Sequence, residues 1–371
     1  MSAERIIRRG ARRFAESELK KIARDLDEER RFPREQIDKL AEQMGAFGIL
    51  VDPEYGGAGG SLKTLVTVLE ELARGCASTA AIVLYGNLAS YALYKYGGEQ
   101  VKKDVLMDVA LGVKIGTFAV NEPGWDYSLK NLNTVAVKSE SGYRVKGVKS
   151  LVVGGTNADV YIVIAAIDGS VDGFLVFKDD DGVRVAGPTD TLGLRAAHLS
   201  QLILDVEIPE WRRLNMGETG VQELLSILRI GVAAIGLGLG IEAYTMAREY
   251  ANVRVQFGVK IGRFEAIQDM LVNMLLDVET SRLVIEKAAE AGSKEIALLS
   301  MIARLYTIEV MLRTTKLGIK VHGGYGYMRE MPLERFARDV RTLQMLGEPN
   351  DALKRLIGEA ELGYIKLPVI K

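Results

Sequence analysis

Between about Lys114 and Leu214 the hydrophobic residues change their spacing, and this change limits the chain's possible architectures more than any other feature. Short runs rich in Val, Ile, Tyr and Phe alternate with polar residues and are separated by Gly, Asp, Asn and Ser. Examples are IGTFAVNEPG (Ile115 to Gly124), TVAVKSESGYRVKGVKSLVVGGTNADVYIVIAAI (Thr134 to Ile167) and LILDVEIPEWRRL (Leu202 to Leu214). A period near two predicts half-buried antiparallel strands. Both flanks have a period near 3.6 instead, so a β unit lies between two helical blocks. The resulting α+β chain divides into a helical domain over 1–113, a β domain over 114–214 and a four-helix bundle over 215–371.

In the first block, Ile6, Ile7, Phe14, Leu19, Ile22 and Leu26 mark one face of a helix that ends before Pro33. A second helix runs to about Met44. The glycine-rich loop from Gly48 to Ser61 lacks the spacing of a nucleotide-binding motif and reads as a turn, with Ser61 capping the next helix. Helices over about Ser78–Tyr96 and Glu99–Leu111 complete the block. In the last block, helices are expected over about Val221–Asn252, Glu265–Ala291, Lys294–Val321, Leu333–Leu343 and Asp351–Lys366.

Other function classes are excluded by charge and composition. With 48 Lys and Arg against 49 Asp and Glu, formal net charge is -1, so neither nucleic acid nor an anionic membrane is indicated as a partner. The apolar runs Thr79–Tyr94 and Leu224–Ile241 contain Asn87 and Arg229, and they read as buried helices rather than membrane spans. Cys76 is the one cysteine, which rules out an intrachain disulfide and fits a reducing, cytoplasmic setting. Two histidines, His198 and His322, are too few and too far apart in sequence to suggest a metal site. The Arg-rich start is interrupted by Glu4, Glu16 and Glu18 and reads as the first helix, not a targeting segment.

Five blocks carry a resemblance: FAVNEPG (Phe118 to Gly124), KGVKSLVVGGTNADVYIV (Lys146 to Val163), LGLRAAHLSQLILDVEIP (Leu192 to Pro209), RVQFGVKIGRFEAIQ (Arg254 to Gln268) and VHGGYGYMREMPLERFARDVRTLQM (Val321 to Met345). In their order and spacing the chain resembles an acyl-CoA dehydrogenase. The resemblance implies FAD as cofactor, an acyl-CoA substrate, an electron-transfer flavoprotein as redox partner, and a homotetramer or a hetero-oligomer with a paralogue. It also implies α,β-dehydrogenation: a carboxylate takes the Cα proton while the flavin accepts the β-hydride.

By that resemblance Phe118, Val120 and Asn121 lie along the flavin, with Leu151 and Val153 facing its ring. The family usually has Thr, Trp and Thr or Ser at the last three of these five positions: Asn121, Leu151 and Val153. Arg254, Gln256 and Phe257 match the segment that reaches a neighbouring subunit's cofactor, and Gly323 and Gly324 match the glycine pair at the adenosine end. Taken alone, Arg254 also reads as a cation at a helix C-terminus and the glycine pair as a cap. Trp125 and Tyr127 stand where the family has small residues beside the pyrophosphate and thioester, and Tyr127 is a candidate substrate contact.

The family's base is missing from both of its usual places. One aligns with Gly347 and the other, just before Arg229, with Leu228. Glu348 is the candidate base; its competing reading is a solvated loop carboxylate near a helix N-terminus. Arg229 is expected to be a structural or CoA-contacting cation. Two functions follow, an FAD-dependent dehydrogenase or a non-catalytic acyl-CoA-binding subunit that pairs with a complete dehydrogenase chain. A flavin oxidase on the same fold is a third.

Overall fold

The structure is a computed structural model and describes residues 3–370; Met1, Ser2 and Lys371, the outer ends of the expected first and last domains, lie outside the described residues. The first helical block contains α1 (Ala3–Phe14), α2 (Ala23–Glu29), α3 (Arg34–Met44), α4 (Leu62–Gly75) and α5 (Ala77–Tyr96). It closes with α6 (Glu99–Val101) and α7 (Met107–Ala110), joined by a π turn over Lys102–Leu106. Ser61 does cap α4: its hydroxyl accepts from the Thr64 amide while Thr64 reaches back to the Ser61 amide. The buried face of α5 extends almost all the way round, which is why its sequence shows little periodicity.

The single helix expected before Pro33 is instead broken. Its backbone widens into a π turn over Ala15–Leu19 before α2 begins. Here Gly75 of α4 approaches so closely that an added Cβ would stand 2.8 Å from both the Ala15 carbonyl oxygen and Leu19 Cβ.

The central sheet contains β1 (Gly116–Ala119), β2 (Val135–Lys138), β3 (Gly142–Val152), β4 (Val160–Ile167), β5 (Ser170–Phe177), β6 (Val183–Val185) and β7 (Ser200–Pro209). Their order is β1-β4-β2-β3-β7-β6, with β5 also paired to β4. Most pairings are antiparallel as expected, but β1 runs parallel to β4, with Gly116 opposite Val160, and β2 meets β4 in parallel at Val135. The expectation of half-buried strands also fails for β4 and β5, which are buried along nearly their whole length. Helices cover this part of the sheet, α5 against β1 and α8 against β5, so VYIVIAAI is continuously apolar instead of alternating. In β3 the pairing register with β7 shifts between Lys149 and Val152, and Leu151 takes a left-handed φ of 51° inside that bulge.

The last block contains α8 (Gly217–Val253), a small hairpin of β8 (Val255–Gln256) and β9 (Val259–Lys260), α9 (Glu265–Ala289), α10 (Ile296–His322), α11 (Leu333–Leu343) and α12 (Asn350–Glu361). Helix α8 is long and apolar enough to cross a membrane, yet 94% of its most apolar window is buried within the protein. It is the central helix of the bundle, packed against α4, α5, α9 and α10. α12 stops short of Lys366, followed by Gly363 at φ 76°.

Candidate active site

The end of β1 brings the first site residues into place. Phe118 and Val120 are buried in the interior, and Val153 is buried beside them; its carbonyl accepts a 2.7 Å hydrogen bond from the Thr117 hydroxyl. Just beyond, Glu122 and Lys149 form a fully buried ion pair at 2.6 Å. Glu122 also accepts from the amides of Asn133 and Thr134, so its carboxylate has several donors. Burial pulls the Lys149 ammonium down to about 8 against the opposing effect of Glu122. Burial likewise pushes the Glu122 carboxyl up, but Lys149 and the amide donors outweigh it and the net shift is downward. This pair locks the end of β1 to the bulged β3.

Asn121 then links the β domain to the bundle. Its carbonyl accepts from the Ser150 amide at 2.8 Å, and its side-chain amide donates to the Gly347 carbonyl at 2.7 Å. Arg304 of α10 holds the same loop from beneath. It donates to the carbonyls of Gln344, Leu346 and Glu348, gathering backbone acceptors of the loop that follows α11. Burial lowers the Arg304 guanidinium to about 10, which leaves it charged at neutral pH.

The two usual positions of the base meet in space. Gly347 has φ 73°, a conformation unfavourable for a side chain, and an added Cβ would stand 3.1 Å from Leu228 Cδ2. A leucine from α8 therefore covers the place from which a residue at 347 would project. The carboxylate lies one residue later, and the reading of Glu348 as a solvated loop residue is wrong: it is 1% exposed.

Glu348 faces Arg229, with Nε donating to one carboxylate oxygen at 3.3 Å and Nη2 to the other. Burial raises the Glu348 carboxyl, but the charge and hydrogen bonds of Arg229, helped by Arg304, hold it below the usual carboxylate range. Its loop position on α12's N-terminal side could be read from sequence, but its burial and partner could not. Arg229 itself is buried, and its third nitrogen, Nη1, has no hydrogen-bond partner among the described residues.

Tyr127, Arg229 and Glu348 all line one cavity of about 460 Å³, whose walls also include Leu225, Ala297 and Met301. Tyr127 takes a left-handed φ of 66°. Trp125 turns inward, donates from its indole to the Ser128 carbonyl at 2.8 Å and packs against Tyr127 with ring centroids 5.0 Å apart. Tyr127 therefore borders the cavity without filling it, and Trp125 packs against Tyr127 without lining the cavity.

A second cavity of about 720 Å³ gathers the other expected cofactor residues: Arg254, Gln256, Phe257, Gly323 and Gly324. Phe257 is 93% exposed at φ 52°, an aromatic ring displayed on the tip of the β8–β9 turn. Cβ atoms added at Gly323 or Gly324 would meet nothing within 4 Å, so the backbone there is open to a ligand. Arg254, which follows α8, adds a guanidinium near the Tyr325 ring. An open glycine backbone, a cation and aromatic surfaces suit a phosphate-bearing adenine nucleotide, so these residues fit the adenosine and pyrophosphate portion of FAD.

The structure thus gathers the expected residues at two places and leaves Phe118, Val120 and Val153 within the packed interior beside the first. Leu151 is half-buried in the bulge. Arg304, Tyr85 and the Glu122–Lys149 pair were not foreseen. The available signals were an arginine inside the apolar first half of α10 and a tyrosine inside the apolar first half of α5. Tyr85 is buried, its hydroxyl has no hydrogen-bond partner among the described residues, and its electrostatic neighbours are Arg304 and Glu348.

Comparison with known proteins agrees with this architecture. Residues 1–112, 117–206 and 215–362 match the N-terminal, middle and C-terminal domains of acyl-CoA dehydrogenase, respectively. The short-chain specific acyl-CoA dehydrogenase of Clostridium acetobutylicum is 30% identical over 95% of this chain and 96% of its own length. A 3-(aryl)acrylate reductase of Clostridium sporogenes is 34% identical over 91% of this chain and 93% of its own. The solved butyryl-CoA dehydrogenase of Megasphaera elsdenii superposes with a TM-score of 0.91, at 28% identity, covering 98% of this chain and 99% of that one.

Proposed function

The chain belongs to the acyl-CoA dehydrogenase family, and from that premise we propose that it is an FAD-dependent oxidoreductase acting on the Cα–Cβ bond of an acyl-CoA thioester. The observation that carries this reading is the meeting of Glu348, Arg229 and Tyr127 at one cavity, beside the loop that Asn121 ties to the β domain. Bound FAD supplies the acceptor for two electrons and a hydrogen. Arg254, Gln256 and Phe257, with the Gly323–Gly324 backbone, would hold the nucleotide end of an FAD shared with a neighbouring subunit, while Asn121 and Leu151 would lie nearer the ring of this chain's own FAD.

Within this reading Glu348 is the proton acceptor. Its depressed pKa keeps it ionised at neutral pH, and its burial keeps the carboxylate free of competing bulk water. Arg229 is a positioning residue, holding the carboxylate through a two-point contact. That contact also reduces basicity, since the proton must be accepted by an oxygen already paired to a cation. Tyr127 contributes a wall against the acyl portion.

An electron-transfer flavoprotein as redox partner and a cytoplasmic setting belong to the same proposal. A homotetramer, or a hetero-oligomer with a paralogue, is supported by the exposed apolar side chains of Val272, Leu276 and Leu283 on α9. The test is the visible spectrum of the purified chain. A flavin spectrum that bleaches on anaerobic addition of an acyl-CoA supports the proposal. A protein that fails to take up FAD would overturn it.

A second reading, a non-catalytic subunit of a complete dehydrogenase, is favoured by one observation: both usual base positions are non-acidic and the remaining carboxylate is held by Arg229. A flavin-loaded chain that bleaches only with a paralogue added would select it.

A further inference from the structure

Building on the family reading above, we propose that residues 366–370 are a strap across the solvent side of the 460 Å³ cavity, and that this strap must swing away for an acyl thioester to reach Glu348.

The first argument is position. Helix α12 lines the cavity with Arg355, Leu356 and Glu359, then ends, and the chain turns at Gly363, whose φ of 76° suits glycine. Residues 364–368 all border the cavity, and with the exposed Lys130, Glu218 and Arg355 they form its solvent side. Arg229 and Glu348 form its buried part. When the acyl end lies at Glu348, the charged coenzyme portion has to lie on the solvent side, where the strap runs.

The second argument is how each wall is held. α8, α10 and α12 are continuous helices, and the loop over residues 127–130 is pinned through Asp126. The Asp126 carboxylate accepts from the Ser128 amide at 2.8 Å and from the Asn131 side chain at 2.6 Å, and its carbonyl accepts from Arg355 at 2.7 Å. The strap has no such support. The Tyr364 and Ile365 amides donate to the Glu359 carbonyl at 2.8 and 3.3 Å and fix a pivot, but residues 366–369 form no hydrogen bond among the described residues. Pro368 has no amide to donate and keeps this span extended. One latch returns the chain to the protein: the Ile370 amide donates to the Ser293 carbonyl at 2.9 Å, in the turn between α9 and α10, and the Ile370 side chain is 4% exposed. Opening breaks that one hydrogen bond and exposes few apolar side chains, so this wall yields before any other.

The experiment is stopped-flow association of butyryl-CoA with the FAD-loaded full chain, followed by flavin absorbance. Observed association scales with the open fraction, so Ile370→Ser, which weakens the latch, should raise the rate at least about fivefold. A Ser293→Cys, Ile370→Cys pair ties the strap down covalently. Its oxidised form should associate at least about a hundredfold more slowly, and reductant should restore the rate and show that the variant is folded. Cys76 does not compete for the bridge, because it is buried and burial pushes its thiol up. In the wild type, with neither flavin nor substrate needed, the Ile370 amide should exchange with deuterium at least about a hundredfold faster than amides in the middle of α10.

Unchanged or slower association in Ile370→Ser, or equal rates in the bridged and reduced forms, overturns the strap, since residues 366–370 would then be a fixed wall. An Ile370 amide that exchanges as slowly as those of α10 overturns it too, and that measurement is decisive where a variant does not fold. If the Ile370 amide exchanges fast yet neither the wild type nor Ile370→Ser responds to butyryl-CoA, the family reading fails instead.

Discussion

The two cavities of this protein are built from opposite materials. Around Arg254 and the Gly323–Gly324 pair, the surface consists of open backbone, one guanidinium and aromatic rings, with Phe257 almost fully exposed. Around Glu348 the groups are buried, charged and hydrogen-bonded to each other across three elements: α8, α10 and the loop before α12. The first cavity offers backbone space and a charge, and substitution of its neighbours alters it locally. The second is an interlocked set in which no member can change alone. Gly347, Leu228, Glu348 and Arg229 illustrate this: a left-handed glycine admits the leucine, and the carboxylate one residue later meets the arginine one residue later. A family can thus keep its cofactor surface while rearranging its reactive end, provided the rearrangement is concerted.

The contrast is broken most severely at Glu348. Glu348→Gln should lower the rate of flavin reduction by about 10²- to 10⁴-fold, the usual contribution of a positioned proton acceptor, with FAD content unchanged. Stopped-flow absorbance under anaerobic conditions measures this directly. An unaltered rate would make Glu348 a structural partner of Arg229, and both cavities would then be binding surfaces only.

Next comes the interlock itself. Arg229→Met leaves a buried carboxylate without its cation and should destabilise the protein by about 3–5 kcal/mol in urea unfolding. Adding Glu348→Leu should recover much of that loss, since an apolar pair of similar volume removes the stranded charge. A smaller effect is expected at the other cavity. Gly324→Leu places a side chain into open space, so the apoprotein's urea midpoint should stay put while FAD dissociation strengthens about 10- to 100-fold. Parallel changes in stability and FAD affinity would show that the two cavities are not built as differently as described.

How much of this was legible in the sequence follows the same division. Local features were readable because single residues carry them: the Ser61 cap, the limits of α11 and the buried character of α8. The parallel pairing of β1 with β4 was not, since a strand buried on both faces has no alternation to reveal its neighbours. At the site, Arg254 and the glycine pair could be placed because they lie in two short motifs. The contact of Leu228 with Gly347, the Arg229–Glu348 pair and the contacts of Arg304 with the loop join residues 40 or more positions apart. Only the packing of α8 and α10 against the loop brings them together. The burial of Glu348 followed from that packing, so its sequence neighbours suggested solvent instead.

The gentlest probe of the interlock is acid. Glu348 has a folded-state pKa below its ordinary value, so the folded state holds fewer protons than the unfolded chain across that interval. Its stabilising contribution is fully present above the ordinary carboxylate range and is lost as pH falls through the depressed value. Asp339 has the opposite sign: burial raises it to about 6, so its ionisation opposes folding as pH rises from the ordinary range towards 6. Near pH 4, where the two intervals overlap, the slopes oppose each other, and neither can exceed about 1.4 kcal/mol per pH unit. The Arg229→Met, Glu348→Leu double variant removes only the first contribution. Its urea midpoint should therefore fall less than the wild type's when pH is lowered below about 4.5. Equal losses in both proteins would mean that Glu348 titrates as an ordinary carboxylate and that Arg229 does not hold its charge.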